Sequence, residues 1–501
     1  MSKVNPLVFG ILGLTIVIGL VAPVWVSAQE PQLLVPVTDP MAAFLEARAV
    51  AVSKGATAEF NKMEWVAFDP SKMKLYISMS DVAKAMSDGK GDINIEENRC
   101  GIVYEADVTQ DYDIVSLRPA LVGGPYNKEA KPDKCDVNNI SSPDSLWVDP
   151  FGNLWIGEDT SNHENNALWR WDGKELLRFA TLPIGAECTG VMVNEAGDLF
   201  FSVQHPSGMS QYPFNRGTLV VINDFKANDA FDSVALPQGD EKYTLKLAAG
   251  KYQVLARVGE PIPNDIYAQR FGQVNNLAGD LQLVCNHPDA NIFLSTNETS
   301  TEGYLFTNYE CRPGALSKVY IRKEGDAWTV LEGENVNFGA VRGTWNNCGS
   351  SVTPWNSVLT SEEYEPLALT DIWKENVASL SDYLGQQANP YDYGWLVEVS
   401  PDPTGEDSAA LVAKRYSLGR FSHEMGFLMP DGKTIFHGDD GANVVLFKTV
   451  ADEAGDLSTN TIYAAKITQQ NDGSLNIDWI ELGHATDDEV AEAIVAMQLP
   501  N

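Results

Sequence analysis

The sequence lacks the close-spaced ligand pairs of small metal folds: its six cysteines form no CxxC pair, and its six histidines form neither HExxH nor HxH. A structural or proteolytic zinc site therefore has almost no support. Cations are scarce as well. Lys and Arg number 35 against 69 Asp and Glu, giving a formal charge of −34 and a pI of about 4.4. A general nucleic-acid binder, which needs a basic face for phosphates, is excluded. Long helical heptads are absent too, because 26 Pro and 40 Gly punctuate the chain with turns. What is present is a large apolar complement, 44% of the residues with 10% aromatic, enough for a substantial core and unlike a disordered chain. These features together predict an all-β protein.

Lys3 precedes an apolar run from Pro6 to Val26, and Val26-Ser27-Ala28 ends it with small residues. Residues 1–28 read as an export signal, with retention as a membrane anchor the alternative. No Cys follows the run, which argues against a lipoprotein. The expected location is periplasmic or extracellular. Six cysteines in an exported chain permit disulfides, and Cys100 and Cys135, which flank one compact segment, are a candidate pair.

One local pattern recurs: a turn with Asp, Gly or Pro, an apolar-aromatic strand, then a polar or acidic end. It appears in FDPSKMKLYISMSD ending at Asp81, DPFGNLWIGED at Asp159, EAGDLFFSVQH at His205, TEGYLFTNYE at Glu310 and PDGKTIFHGDD at Asp440. The anchors Leu75, Leu154, Leu199, Leu305 and Ile435 lie one to three units of roughly 40–45 residues apart, a propeller spacing. In a propeller the strand ends from distant segments converge on one axis, so acidic ends imply bound cations. The bland reading of any single acid is a solvated surface.

Several short strings carry chemistry. NNCGSSVTPW places Cys348 in a polar turn shortly before Ser361, Glu362 and Glu363; a thiolate there suits a soft or borderline metal, with the carboxylates adding hard sites, and a half-cystine or an inert buried Cys is the alternative. GRFSHE brings together Arg420, His423 and Glu424, either for an anion held against a metal or as a surface ion pair. Glu64 in NKMEWVAF, Glu310 in TNYEC, Glu187 in GAECTG, and Gln204 with His205 in SVQHPS sit at strand starts, strand ends or turns.

Taken together, KMEW, NRCGIVYE, SPDSLWVD, GNLWIGED, GAECTG, SVQHPS, LFTNYE, GTWNNCGSSVTPW, YGWLVEVSP, GRFSHE and IFHGDD resemble the PhoX-type alkaline phosphatases, a family of metal-dependent phosphomonoesterases. The order departs from the family. Segments resembling LFTNYE, GTWNNC, YGWLVEV and GRFSHE come first there, whereas here KMEW, NRCG, SPDSLW and GAECTG precede them. The order reads as a circular permutation, with 207–250 as a connector near the junction. A closed ring of blades tolerates a moved chain break.

The resemblance implies a six-bladed β-propeller with Fe3+ and Ca2+ in its channel. It assigns Cys348, Glu424, Glu64 and Glu310 to the iron side, with Glu64, Glu310 and Asp440 toward calcium. Asp439, Asp144, Glu187 and His205 belong to matching motifs without an assigned role. Lys62 and Arg420 would neutralise the phosphate. Lys62 stands where the family commonly has Arg, which loses the bidentate fork, and Ser361 where it usually has Cys. The expected organisation is a leader 1–28, an N-terminal extension 29–58, a propeller 59–485 and a C-terminal helix and tail 486–501. The expected activity is hydrolysis of small phosphate monoesters by a monomer, with no nucleic acid and no stable membrane partner unless the leader is retained. Two alternatives stand beside it: a catalytically inactive calcium propeller serving as an envelope or adhesion module, and a calcium propeller acting on lactones or phosphodiesters.

Overall fold

The computed structural model describes residues 32–401 and 410–500; the leader 1–28 lies outside the described residues. Each occurrence of the recurrent pattern forms the second strand of an antiparallel sheet. Leu75 lies in Lys74–Met79, Leu154 in Leu154–Glu158, Leu199 in Leu199–Gln204, Leu305 in Glu302–Tyr309 and Ile435 in Thr434–Asp439. A sixth second strand, Val358–Glu362, follows Pro354 and ends in acid but has only two apolar residues, Val358 and Leu359.

The sheets form six blades, whose innermost strands are Met63–Asp69, Pro143–Val148, Glu187–Val193, Pro288–Ser295, Asn347–Val352 and His423–Leu428 for blades 1 to 6. Each innermost strand packs beside the next, and that of blade 6 packs beside that of blade 1, which closes the ring. Blades 1 and 6 are also stitched at their outer edges, where Leu475 pairs with Leu117 and Asn476 with Ser116. The fold is therefore the expected all-β six-bladed propeller.

Apolar clusters fill the wedges between blades. Trp65, Tyr76 and Val103 of blade 1 meet Leu146, Ile156 and Trp169 of blade 2 in one such cluster. Burying each large side chain contributes about 1.5–3 kcal/mol, so the wedges supply much of the drive to close.

The stretch 207–250 differs from its expected role as a connector. Its apolar run Thr218–Asn223 is long enough for a strand and becomes the third strand of blade 3, while Lys246–Leu247 adds to the edge of blade 2. It thus contributes strands to blades 3 and 2, and 224–245 leads from one to the other without a strand.

The N-terminal extension is equally part of the fold. Helices Ala42–Leu45 and Ala47–Ser53 bury Phe44 and Val50 against Phe447, Ile462 and Ala464 of blade 6. The C-terminal helix Asp487–Ala496 joins the same cluster through Val490 and Ile494. Thr486 caps it: its hydroxyl oxygen accepts a hydrogen bond from Glu489 N, while the Glu489 carboxylate reaches back to accept one from Thr486 N. Among the described residues no helix is long and apolar enough to cross a membrane.

Candidate metal centre

Pairing in the innermost strands shifts in every blade, after the first pair in five blades and after the third pair in blade 3. In blade 1 Met63 pairs with Met79 and Val66 with Ile77, leaving Glu64 and Trp65 opposite Ser78 alone. Such a bulge re-aims a side chain, here toward the axis. The same shift falls at Asp144 in blade 2, Gly190 in blade 3, Asp289 in blade 4, Cys348 in blade 5 and Glu424 in blade 6. Five of these six positions therefore carry a carboxylate or a thiol. Blade 3 supplies Glu187 instead, three residues before its glycine.

A second layer comes from the residue just after each second strand: Asp159, Glu310, Glu363 and Asp440 follow Glu158, Tyr309, Glu362 and Asp439, and His205 follows Gln204 in blade 3. In blade 1 that place holds Ser80, whose hydroxyl donates to Glu64 Oε1. The two layers line one cavity of about 270 Å³ on the propeller axis. Among the described residues nine carboxylates and Cys348 face it, and Lys62 is its single lysine or arginine.

Close approach of neighbouring strands requires glycine at two points. A Cβ on Gly438 would lie 1.9 Å from the backbone oxygen of Glu64, and one on Gly190 would lie 2.2 Å from that of Asp289.

The electrostatics of the cavity call for cations. Burial and then neighbouring carboxylates push Asp144, Glu187, Asp289, Glu363 and Glu424 well above the carboxylate range. Glu64 rises to about 8, driven by burial and Asp440 and opposed by Lys62. Burial and Asp289 push the Cys348 thiol up, and its Sγ lies 3.0 Å from Glu424 Oε1. So many acids crowded together are tolerated only if cations join them.

The donor atoms fit such cations. Among the described residues four triads can each surround one ion: Asp159, Glu187 and His205 stand apart, while Asp289, Glu310 and Cys348, then Cys348, Glu363 and Glu424, and then Glu64, Asp144 and Glu424 are linked through Cys348 and Glu424. Asp289 Oδ1 and Gln204 Oε1 are buried without a hydrogen-bond partner, as free ligand positions would be. Carboxylates suit a hard ion such as calcium, and the thiol adds a donor for iron.

The cavity brings together Lys62, Glu64, Asp144, Glu187, Glu310, Cys348, Glu424 and Asp440 from the sequence reading, along with His205. It does not bring in Arg420 or Asp439. Arg420 is buried and donates to the backbone oxygens of Tyr393, Pro366 and Pro390, with its guanidinium 5.0 Å from the Tyr391 ring centre. The cause is its place in the chain: Glu424 faces the axis from its strand, whereas Arg420 lies in the preceding loop against the core. Asp439 points away from the axis to Arg48, whose Nε donates to its two oxygens at 3.0 and 2.8 Å. Glu362 likewise faces the core, 3.0 Å from Lys414 Nζ, leaving Glu363 to the cavity.

Sequence reasoning missed Asp289, His287 and Tyr364 as cavity residues and left Asp159 and Glu363 without a specific role. Asp289 had a signal: HPDANIF repeats the Pro-Asp strand start of SPDSLWV. Tyr364 stands at the cavity mouth, where its hydroxyl donates to Asp440 Oδ2 and Lys62 Nζ lies 3.0 Å from it. Lys62 also bonds Asp440 and lies 3.5 Å from Glu64, and these anions hold its pKa above the usual value against the effect of burial.

The cysteines pair as Cys100–Cys135 and Cys285–Cys311, leaving Cys188 and Cys348 free and buried, so the even count does not reflect full pairing.

A family model described as alkaline phosphatase PhoX matches residues 20–207 and 315–499. The unmatched stretch 208–314 contains Asp289 and Glu310, although both face the same cavity as their matched neighbours. No curated protein gives a significant match. Among solved structures, Pseudomonas fluorescens PhoX in complex with vanadate is 18% identical, over 49% of this chain and 60% of that one, with a TM-score of 0.35. A calcium-binding protein, regucalcin, from Agrobacterium tumefaciens is 11% identical over 86% and 96%, with a TM-score of 0.34. An α-L-arabinanase from Penicillium chrysogenum complexed with arabinobiose is 9% identical over 85% and 97%, with a TM-score of 0.37.

Proposed function

The chain belongs to the alkaline phosphatase PhoX family, and from that membership we propose that it hydrolyses phosphate monoesters in the axial cavity, with iron and calcium as its cofactors. The observation that carries this reading is the lining itself: nine carboxylates and a thiol against one lysine. A phosphate dianion enters such a cavity only if cations reverse its field.

Cys348, Glu424, Glu310, Asp289 and Glu363 would hold iron, and Glu64, Asp144, Asp159, Glu187 and Asp440 would hold calcium. When bound, these ions supply Lewis acidity and positive charge toward the phosphoryl oxygens. Lys62 Nζ is the chain's own phosphate contact. It stays protonated beside Glu64 and Asp440 and presents a point charge at the cavity mouth. Tyr364 fixes that ammonium by accepting a hydrogen bond from it while donating its own proton to Asp440. The buried ring of bulge positions keeps bulk water from the inner donors, which strengthens every charge interaction within.

Export to an oxidising compartment is part of the proposal, and the two disulfides support it. The test is turnover of p-nitrophenyl phosphate by the purified protein loaded with iron and calcium. Release of nitrophenolate that disappears in Glu424→Gln is expected. No turnover by the fully loaded wild type overturns the reading.

A further inference from the structure

Beside the axial cavity lies a second hollow of about 340 Å³, and Tyr364 and Asp440 form the wall common to both. Its other side includes Arg48, Arg312, Trp345 and Leu367. Trp345 is buried and fixed, with its Nε1 donating to Tyr364 O at 2.8 Å. The Arg312 guanidinium lies 4.7 Å from the centre of that indole ring. Leu367 is half exposed and gives the hollow an apolar edge.

The two arginines differ in what they hold. Arg48 is occupied by Asp439 and by Glu365 at 2.9 Å. Arg312 has no carboxylate partner among the described residues, in a chain with 69 acids to 35 bases. Its place in the chain ties it to the chemistry. Glu310, two residues earlier, faces the axial cavity, and Cys311 between them is bonded to Cys285. A cation is thus held on a stacked, disulfide-anchored segment one wall away from where phosphate would sit.

We propose that this hollow is the leaving-group subsite and that Arg312 selects phosphomonoesters whose alcohol part carries a second anionic group. This rests on the phosphatase reading above. In the hydrolysis the ester P–O bond breaks, a water oxygen bonds to phosphorus, and a proton from that water goes to the departing alcohol. While phosphate occupies the axial cavity, the alcohol part extends past Tyr364 into the hollow. There a carboxylate or a second phosphate meets the fork of Arg312, a charge-assisted pairing that a neutral alcohol cannot make.

The test uses the metal-loaded full chain and compares kcat/KM for three esters: glycerol 3-phosphate, 3-phosphoglycerate and fructose 1,6-bisphosphate. The first has a neutral alcohol part, the second adds a carboxylate, and the third adds a phosphate. In Arg312→Gln the preference for at least one anionic ester over glycerol 3-phosphate is expected to fall about tenfold. Which of the two ratios falls identifies the anion. Leu367→Glu, an exposed change that places a negative charge in the hollow, is expected to lower the same ratio and serves if Arg312→Gln does not fold. Ratios unchanged in both variants overturn the subsite while leaving the phosphatase reading standing. No turnover of any ester by wild type overturns the phosphatase reading and the subsite with it.

Discussion

Arg48 of the N-terminal helices forks onto Asp439 of blade 6, its Nε within 3.0 and 2.8 Å of the two carboxylate oxygens. Asp439 is fully buried and Arg48 is about one-third exposed. Removing the cation leaves a buried carboxylate with little compensation. Arg48→Met is therefore expected to lower the unfolding free energy by about 2–4 kcal/mol, read from denaturant or thermal melts. Adding Asp439→Asn should recover part of that loss, because the two side chains share one interaction.

Gly438 sets how closely blades 6 and 1 approach beside Glu64. Because a Cβ there would meet the Glu64 backbone oxygen at 1.9 Å, Gly438→Ala must push the strand carrying Glu64 aside. The expected cost is about 1–3 kcal/mol of stability, together with weaker metal retention at the Glu64 side. Thermal melts and elemental analysis of the variant check both. A variant with wild-type melting and metal content shows that the strands do not approach so closely.

The pH dependence of stability should carry a signature of His163. Burial disfavours its charged form, but Glu158 at 3.0 Å overrides this and raises its pKa above 6.5. Glu158 is in turn held by Ser141 N, Ala167 N and Trp169 Nε1. A raised folded-state pKa means that the folded chain holds the proton more tightly than the unfolded chain. Its stabilisation is full below the unfolded value and is lost as pH rises through the folded one. Unfolding free energies of wild type and His163→Gln should therefore converge as pH rises above neutrality. A constant difference across that range rules out the linkage.

Two disulfides and two free thiols give a simple chemical pattern. Non-reducing peptide maps should show Cys100 joined to Cys135 and Cys285 joined to Cys311. Cys188 and Cys348 should react with thiol reagents only after unfolding. Replacing either bridge by a pair of serines should cost about 2–4 kcal/mol.

Much of this design is visible in the sequence because blades repeat. Turn-strand-acid signatures mark the second strands of five blades, and Val358–Glu362 escapes notice because, behind its Pro354 turn and before its acidic end, the strand has only Val358 and Leu359 as apolar residues. The ligand positions are harder to find. They depend on a bulge in the innermost strand, and nothing in a one-dimensional pattern fixes where pairing shifts. Thus Glu64 and Cys348 are recoverable from motifs, while the Pro-Asp start that Asp289 shares with Asp144 gains its meaning only once their registers match. Arg420 and Asp439 mislead for the opposite reason: each lies close to a true cavity residue in a motif but faces the core. Arg48 is invisible to sequence reasoning, since its reach to Asp439 depends on how the N-terminal helices dock on blade 6.

The most direct measurement is the metal content of the purified protein by elemental analysis, with Cys348→Ala beside wild type. Iron and calcium bound together in wild type, with iron lost and calcium retained in Cys348→Ala, is the expected result. Calcium without iron in wild type, or no bound metal at all, refutes the assignment of the axial cavity to an iron and calcium phosphatase centre.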